Sequence, residues 1–237
     1  MSRPPKKSTR KSTPASALKR LKAAFISQFG IGTKTADDLL AGAKVYDKAY
    51  ELSCVIQLMK HLQGSSSGAS FQLIGGSKLQ FRSSGGEIQR GLWSYIEMHQ
   101  DSAVIAEIWT DIECLALSAW QEGKSAGTPP YGRAHELDVV VVEPCTNGRP
   151  DPSQLFLGIE AKHRDFNKAL LKELLGVRRE TAFKTAPGSN MFAWWRADRK
   201  LPADPPSGIV LFCSSTSVFN YNDPAEYWGV EMIHHPF

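Results

Sequence analysis

Apolar positions along this chain recur in two periods. Leu18, Leu21, Ala24, Phe25 and Phe29 fall near helical spacing in ASALKRLKAAFISQFG, with Gly30 available to end the helix. The clearest helical stretch is TADDLLAGAKVYDKAYELSCVIQLMKHLQG. Leu52, Val55, Met59 and Leu62 form one stripe there, and Glu51, Val55, Leu58 and Leu62 another beside it, so Glu51 falls on or near the buried face. Thr35 followed by Asp38 predicts its cap. GSSSGAS interrupts the pattern. FQLIGGSKLQFRSSGG predicts a short hairpin turning near Gly75 and Gly76. EIQRGLWSYIEMHQ fits helix or strand. AVIAEIWTDIECLALSAW alternates in places and predicts a strand, and QEGKSAGTPPYGRA predicts a loop.

The second half reads as strands around one helix. In HELDVVVVEP, at 135–144, the four valines are β-branched and apolar on both faces, which predicts a central strand. FLGIEAKHR, at 156–164, predicts the next. The eleven residues PCTNGRPDPSQ between them hold three prolines and an Asn-Gly pair, and predict a loop. DFNKALLKELLGVRRETAFKTA predicts a helix capped by Asp165 or Asn167, with Leu170, Leu171, Leu174 and Val177 as its apolar face. SNMFAWWRADRK suits a strand or a helix end, and LPADPPS predicts a break. GIVLFCSS predicts another buried strand, and NYNDPAEYWGVEMIHHPF is aromatic-rich without a clear period. The order of elements predicts an α/β domain with a mixed central sheet flanked by helices.

Composition changes this picture mainly at the N-terminus. Residues 1–36 carry nine Lys or Arg and no Asp or Glu, which leaves 19 against 24 over 37–237, a net of −5. The basicity therefore belongs to a leader, and the body is mildly acidic. MSRPPKKSTRKSTPAS has almost nothing to bury, so 1–16 is expected to be a disordered basic leader, with 17–237 a single domain. Such a leader can add sequence-independent affinity for nucleic acid, or can simply be solvated. At 42% hydrophobic residues the chain can build a core. No apolar run approaches the roughly 18 residues of a membrane span, and the basic N-terminus lacks the apolar stretch of a secretory signal. A soluble, cytoplasmic protein is expected. Cys54, Cys114, Cys145 and Cys213 lie far apart with no CxxC pair, which argues against a disulfide framework or a zinc site.

The candidate chemistry lies at the strand ends. Alternation puts Glu136, Asp138, Val140 and Val142 on one face, and Phe156, Gly158, Glu160 and Lys162 on one face of the next strand. If the two strands pair, Asp138 comes near Glu160 and Lys162. Two carboxylates offer the hard oxygen ligands that Mg²⁺ takes. With that ion they can activate water and polarise a phosphate, while the lysine stabilises developing charge.

Glu136-Leu137-Asp138 followed by Gly158-Ile159-Glu160-Ala161-Lys162 resembles the PD-(D/E)XK, or restriction-endonuclease-like, nuclease superfamily. The resemblance covers about 40–215 and implies an αβββαβ core: a helix around 43–62, strands around 104–118, 137–143 and 155–162, a helix around 167–182 and a strand at 208–214. It implies catalytic roles for Asp138, Glu160 and Lys162, with Glu51 as an added acid from the first helix. It also implies Asp138, Glu160 and the Ala161 carbonyl as ligands of Mg²⁺, with Mn²⁺ as a substitute. Leu137 stands where the family pattern has Pro. By the same resemblance the substrate would be DNA, with RNA as the other candidate, and the setting defence against foreign DNA. The chain has no GxxxxGK[ST] motif, so any motor would be a partner; with no recognisable specificity domain, a stand-alone enzyme would need to form a homodimer for double-strand cuts or borrow specificity from a protein partner.

Further candidates are less specific. Lys168, Lys172, Arg178 and Arg179 could face phosphate or be a solvated helix face. FAWWRADRK interleaves aromatic and basic residues and suits stacking on unpaired bases or core packing. His163 falls opposite Lys162, which suits a structural or phosphate-facing role more than a general base. Two other classes remain open: a non-cleaving nucleic-acid-binding or assembly subunit with a nuclease fold, and a capsid-associated protein.

Overall fold

The computed structural model describes residues 14–44, 46–65, 68–125, 127, 131–188 and 201–237. Helix α1 spans Pro14–Phe29 and ends at Gly30, whose positive φ of 62° suits glycine. Residues 14–16, expected in the leader, thus open a helix. The long helical stretch divides in three: α2 over Thr33–Leu39, a 3-10 turn over Ala41–Lys44, and α3 over Tyr46–Ser65. Gly32, not Thr35, is the N-cap of α2, so Thr35 and Asp38 lie inside it and make no cap.

Seven strands among the described residues form one mixed sheet: β1 Ser70–Ile74, β2 Tyr95–Gln100, β3 Ala103–Leu115, β4 Ala134–Val142, β5 Leu155–Lys162, β8 Gly208–Cys213 and β9 Val230–His234, in the order β1-β2-β3-β4-β5-β8-β9. The first five pair antiparallel, while β8 runs parallel to β5 and β9 parallel to β8. The short α4, Leu117–Gln121, follows β3, and α5, Lys168–Arg179, makes the crossover from β5 to β8. A second sheet pairs β6, Phe183–Gly188, with β7, Leu201–Asp204. The aromatic C-terminus forms a 3-10 turn over Thr216–Tyr221, α6 over Asn222–Tyr227, and β9.

The expected hairpin at 71–86 does not form. Phe71–Ile74 pair instead with Tyr95–Met98, because both segments alternate and can share a ladder. Within the intervening loop the Ser77 and Lys78 amides donate to the Gly91 and Leu92 carbonyls. Gly76 is required at that contact: a Cβ there would lie 2.4 Å from the Leu92 backbone carbon. β2 and β3 are joined by Asp101 and Ser102, both left-handed, the backbone of a tight hairpin turn.

Both faces of the sheet are covered, which is why VVVV carries no polar position. Val139 and Val141 join a cluster with Leu21 and Phe25 of α1 and with Tyr50, Val55, Met59 and Leu62 of α3. Val140 and Val142 join Trp109, Ile112, Leu137 and Leu155 on the other face. There α5 adds Leu170, Leu171 and Leu174 against Ile209, Leu211, Val230 and Met232. Each such side chain contributes about 1.5–3 kcal/mol when fully buried. Of the two expected caps for α5, Asn167 is the one used: its Oδ1 accepts from the Ala169 and Leu170 amides at 2.9 and 3.2 Å. Asn167→Ala is expected to cost about 1 kcal/mol, read by urea unfolding, and Asp165→Ala nothing at the cap.

Candidate active site

β4 and β5 do pair, and their register decides what meets. The ladder includes Val139↔Ile159 and Val140↔Gly158, so one step outward sets Asp138 opposite Glu160. On the other side Thr110↔Val139 and Ile112↔Leu137 bracket Asp111 against Asp138. Three carboxylates therefore stand in a row across β3, β4 and β5. The β4–β5 backbone pairing has ended at this point, and the Asp138 carboxylate takes over as acceptor: Oδ2 receives the Ala161 N–H at 2.7 Å. The row thus lies where β4 and β5 begin to part.

Lys162 reaches the row from β5. Its ammonium is 2.6 Å from Glu160 Oε2, 4.0 Å from Asp138 Oδ2 and 3.9 Å from Glu173 Oε1 of α5. Lys48 reaches it from α3, contacting both Asp111 carboxylate oxygens at 2.5 Å and pairing with Glu51. The structure therefore brings together Asp138, Glu160 and Lys162 as expected, and joins Glu51 to them through Lys48 and Asp111. Those last two were not singled out from the sequence. The available signals were an acid between Trp109 and Ile112 of a largely apolar strand and a lysine three residues before Glu51.

Asp111 also explains a departure from the expected faces. Its φ is 54°, left-handed, in mid-strand, and its side chain is only 5% exposed. The turn of the backbone there shifts the alternation by one. Trp109 and Ile112, three apart, pack in the same cluster, and so do Val140 and Leu137 across from them. Leu137, rather than Asp138, therefore shares the face of Val140 and Val142. Beyond burial, the Asp138 charge raises the pKa of Glu51 and Cys54 on α3 as well as that of Glu160 on β5. Phe156 also leaves the face of Glu160: a bulge pairs Val142 with Leu155, and Phe156 packs toward the α1–α3 side. Glu136 lies against Gly85, where a Cβ would come within 2.3 Å of its carboxylate.

The remaining candidates separate by burial. His163 packs on Tyr50 and Phe237 with ring centroids 5.0 and 5.8 Å away, and burial lowers its pKa. Arg178 is buried and donates to the carbonyls of Trp228 and Ser207 at 2.9 and 3.0 Å, so it braces the fold and does not face phosphate. Lys168, Lys172 and Arg179 are exposed on α5. The stretch FAWWRADRK lies outside the described residues.

Crowding of buried charge sets the titration behaviour. Burial, reinforced by Asp138 and Asp111, outweighs Lys48 and pushes the Glu51 carboxyl up to about 7. Burial does the same to Asp111, pushed up to about 6 with help from Glu136 and Asp138. Glu160 is raised by burial and by Asp138 against the pull of Lys162. Burial disfavours the two ammoniums, but Asp111 and Glu51 overcome it for Lys48, and Glu160 and Asp138 for Lys162, so both pKa values rise. Carboxyls that hold protons more tightly when folded stabilise the fold at low pH. That stability is lost as pH climbs from about 4 to about 7. In metal-free buffer, Glu51→Gln is expected to remove on the order of 2 kcal/mol of the loss between pH 5 and pH 7.5. Urea unfolding at the two pH values measures it, and an unchanged pH difference would refute this origin.

Among the described residues no three His, Cys, Asp or Glu side chains converge closely enough to form a metal-holding group; the carboxylates here turn toward the ammoniums. No described helix is long and apolar enough to cross a membrane. Comparison of the chain with protein-family models, with curated proteins and with solved structures finds no match.

Proposed function

We propose that this protein is a metal-dependent nuclease that hydrolyses phosphodiester bonds, with DNA as the substrate class and RNA as the alternative. The observation that carries the reading is the row Asp111, Asp138 and Glu160 across three adjacent strands, with Lys162 on it where β4 and β5 part. The order α3, β3, β4, β5, α5, β8 supports it, because the resemblance to PD-(D/E)XK nucleases implies that order around Asp138, Glu160 and Lys162. The donor chemistry suits Mg²⁺ or Mn²⁺: hard carboxylate oxygens, crowded and partly buried, whose raised pKa values a divalent cation would relieve.

In this reading Asp138, Glu160 and the Ala161 carbonyl would hold the ion. A bound divalent ion supplies Lewis-acid polarisation of the scissile phosphate. Lys162 stays protonated at neutral pH because its pKa is raised, so it acts as a cation and hydrogen-bond donor toward water and phosphate rather than as a base. Glu51, titrating near neutrality, is suited to exchange a proton with water at the site. A role in defence against foreign DNA rests on fold analogy. A homodimer, or a partner supplying specificity or a motor, would complete such an enzyme.

The test is cleavage by the full chain of supercoiled, linear duplex and single-stranded DNA, and of RNA, with Mg²⁺ or Mn²⁺ and with EDTA. Metal-dependent cutting is expected. Nucleic-acid binding without cutting under any of these conditions would favour a non-cleaving subunit and overturn the nuclease reading.

A further inference from the structure

The nuclease reading gives Asp138, Glu160 and Lys162 direct roles, counts Asp111 only as a member of the row, and leaves its partner Lys48 without a part. Their geometry is costly for the fold. Asp111 holds a left-handed backbone in the middle of β3 that only glycine adopts freely, and its carboxylate lies almost fully buried beside the acids of the row. Lys48 is buried nearly as deeply, with 11% of its side chain exposed, and its ammonium contacts both Asp111 oxygens and Glu51. Four carboxylates, Glu51, Asp111, Asp138 and Glu160, thus crowd one end of the sheet. Two ammoniums enter the crowd, Lys48 from α3 and Lys162 from β5. Buried like charges persist only with a cation between them. On the α3 side that cation is part of the chain.

We propose that Lys48 is a built-in cation of this site: its ammonium fills the place beside Asp111 and Glu51 that a divalent ion would otherwise take. The row together with Glu51 therefore binds one ion fewer than these four carboxylates could hold. Lys48 is a positioning residue, because its ammonium holds the Asp111 and Glu51 carboxyl groups in place next to Asp138. Lys48 and Glu51 are one helical turn apart, so α3 carries both the cation and one of its partners. The distorted turn at Asp111 brings the second partner to it from the sheet. The inference rests on the nuclease reading for its catalytic consequence, one ion during cleavage, but the ion count can be measured without any cleavage.

The test counts Mn²⁺ bound to the full chain, by electron paramagnetic resonance and by calorimetry. If wild type binds n ions, Lys48→Ala is expected to bind n + 1, because Asp111 and Glu51 then lack their cation. Lys48→Ala combined with Asp111→Asn should return to n, and Lys48→Arg, which keeps a cation, should stay at n. Loss of a packing contact alone would move none of these counts. If Lys48→Ala does not fold, Lys48→Gln keeps most of the bulk and gives the same readings. An unchanged count in the folded variant overturns the proposal. A wild type that neither binds Mn²⁺ nor cleaves would count against the nuclease reading, while the difference between wild type and the Lys48 variant still decides this one.

Discussion

Lys162→Met is expected to lower metal-dependent cleavage on the order of 10²–10³-fold while leaving the chain folded. Lys162 ends β5 and its side chain is about one-fifth exposed, so an unbranched apolar side chain can take its place. What the substitution removes is the positive charge 2.6 Å from Glu160 and 4.0 Å from Asp138. In the proposed nuclease reading, charge developing on a phosphate in the transition state then loses a fixed donor. Asp138→Asn separates chemistry from folding more cleanly. The amide oxygen of Asn can still accept the Ala161 N–H, so the junction of β4 and β5 keeps its hydrogen bond. Only the negative charge is lost, and with it the hard ligand that a divalent ion requires. A loss of the same order is expected. Single-turnover cleavage of a labelled DNA with Mg²⁺, alongside circular dichroism, checks both variants. Wild-type rates in both would remove Asp138 and Lys162 from the chemistry.

The largest expected effect on stability is at Trp109. Its ring is 1% exposed and stacks on Tyr95 with centroids 4.2 Å apart and planes within 9°. Its indole N–H donates to Glu107 Oε2 at 3.1 Å, inside a group closed by Arg90. Trp109→Ala leaves a cavity in the cluster of Ile112, Leu137, Val140 and Val142 and strips a partner from a buried carboxylate. A loss of about 3–5 kcal/mol is expected, a large share of the roughly 5–15 kcal/mol that holds a domain folded. Trp120, exposed in the last turn of α4, is the control, and Trp120→Ala should change stability by no more than about 0.5 kcal/mol. Urea unfolding measures both, and equal effects would show that burial at Trp109 is not what anchors β3. Because Asp111 follows two residues later on the same strand, cleavage by the Ala variant should fail at a lower temperature than that of wild type.

Much of the fold was legible because it depends on local pattern. The apolar runs of β4, β5 and β8 and the stripes of α3 and α5 identify buried elements without any knowledge of their neighbours. The hairpin expected at 71–86 failed for the opposite reason. FQLI can form a ladder with any alternating strand, and choosing Tyr95–Met98 over the nearer segment is a decision of packing across a twenty-residue loop. The C-terminus was obscure because β9 is a short strand whose place comes only from lying beside β8.

The site divides along the same line. Asp138, Glu160 and Lys162 could be chosen from sequence because strand alternation and a two-residue spacing are covalent facts, and Glu51 because it borders a helical stripe. Their direction could not. A single left-handed residue, Asp111, shifts the faces of two strands, and nothing in the one-letter code announces a backbone twist at an aspartate. Nor could the sequence join Lys48 to Asp111 across 63 positions. By itself it determined which residues are apolar, where the central buried strands and the helices that cover them lie, and which charges stand at strand ends. The tertiary structure decided which of those charges meet, because register and helix placement are set by the packing of side chains remote in the chain.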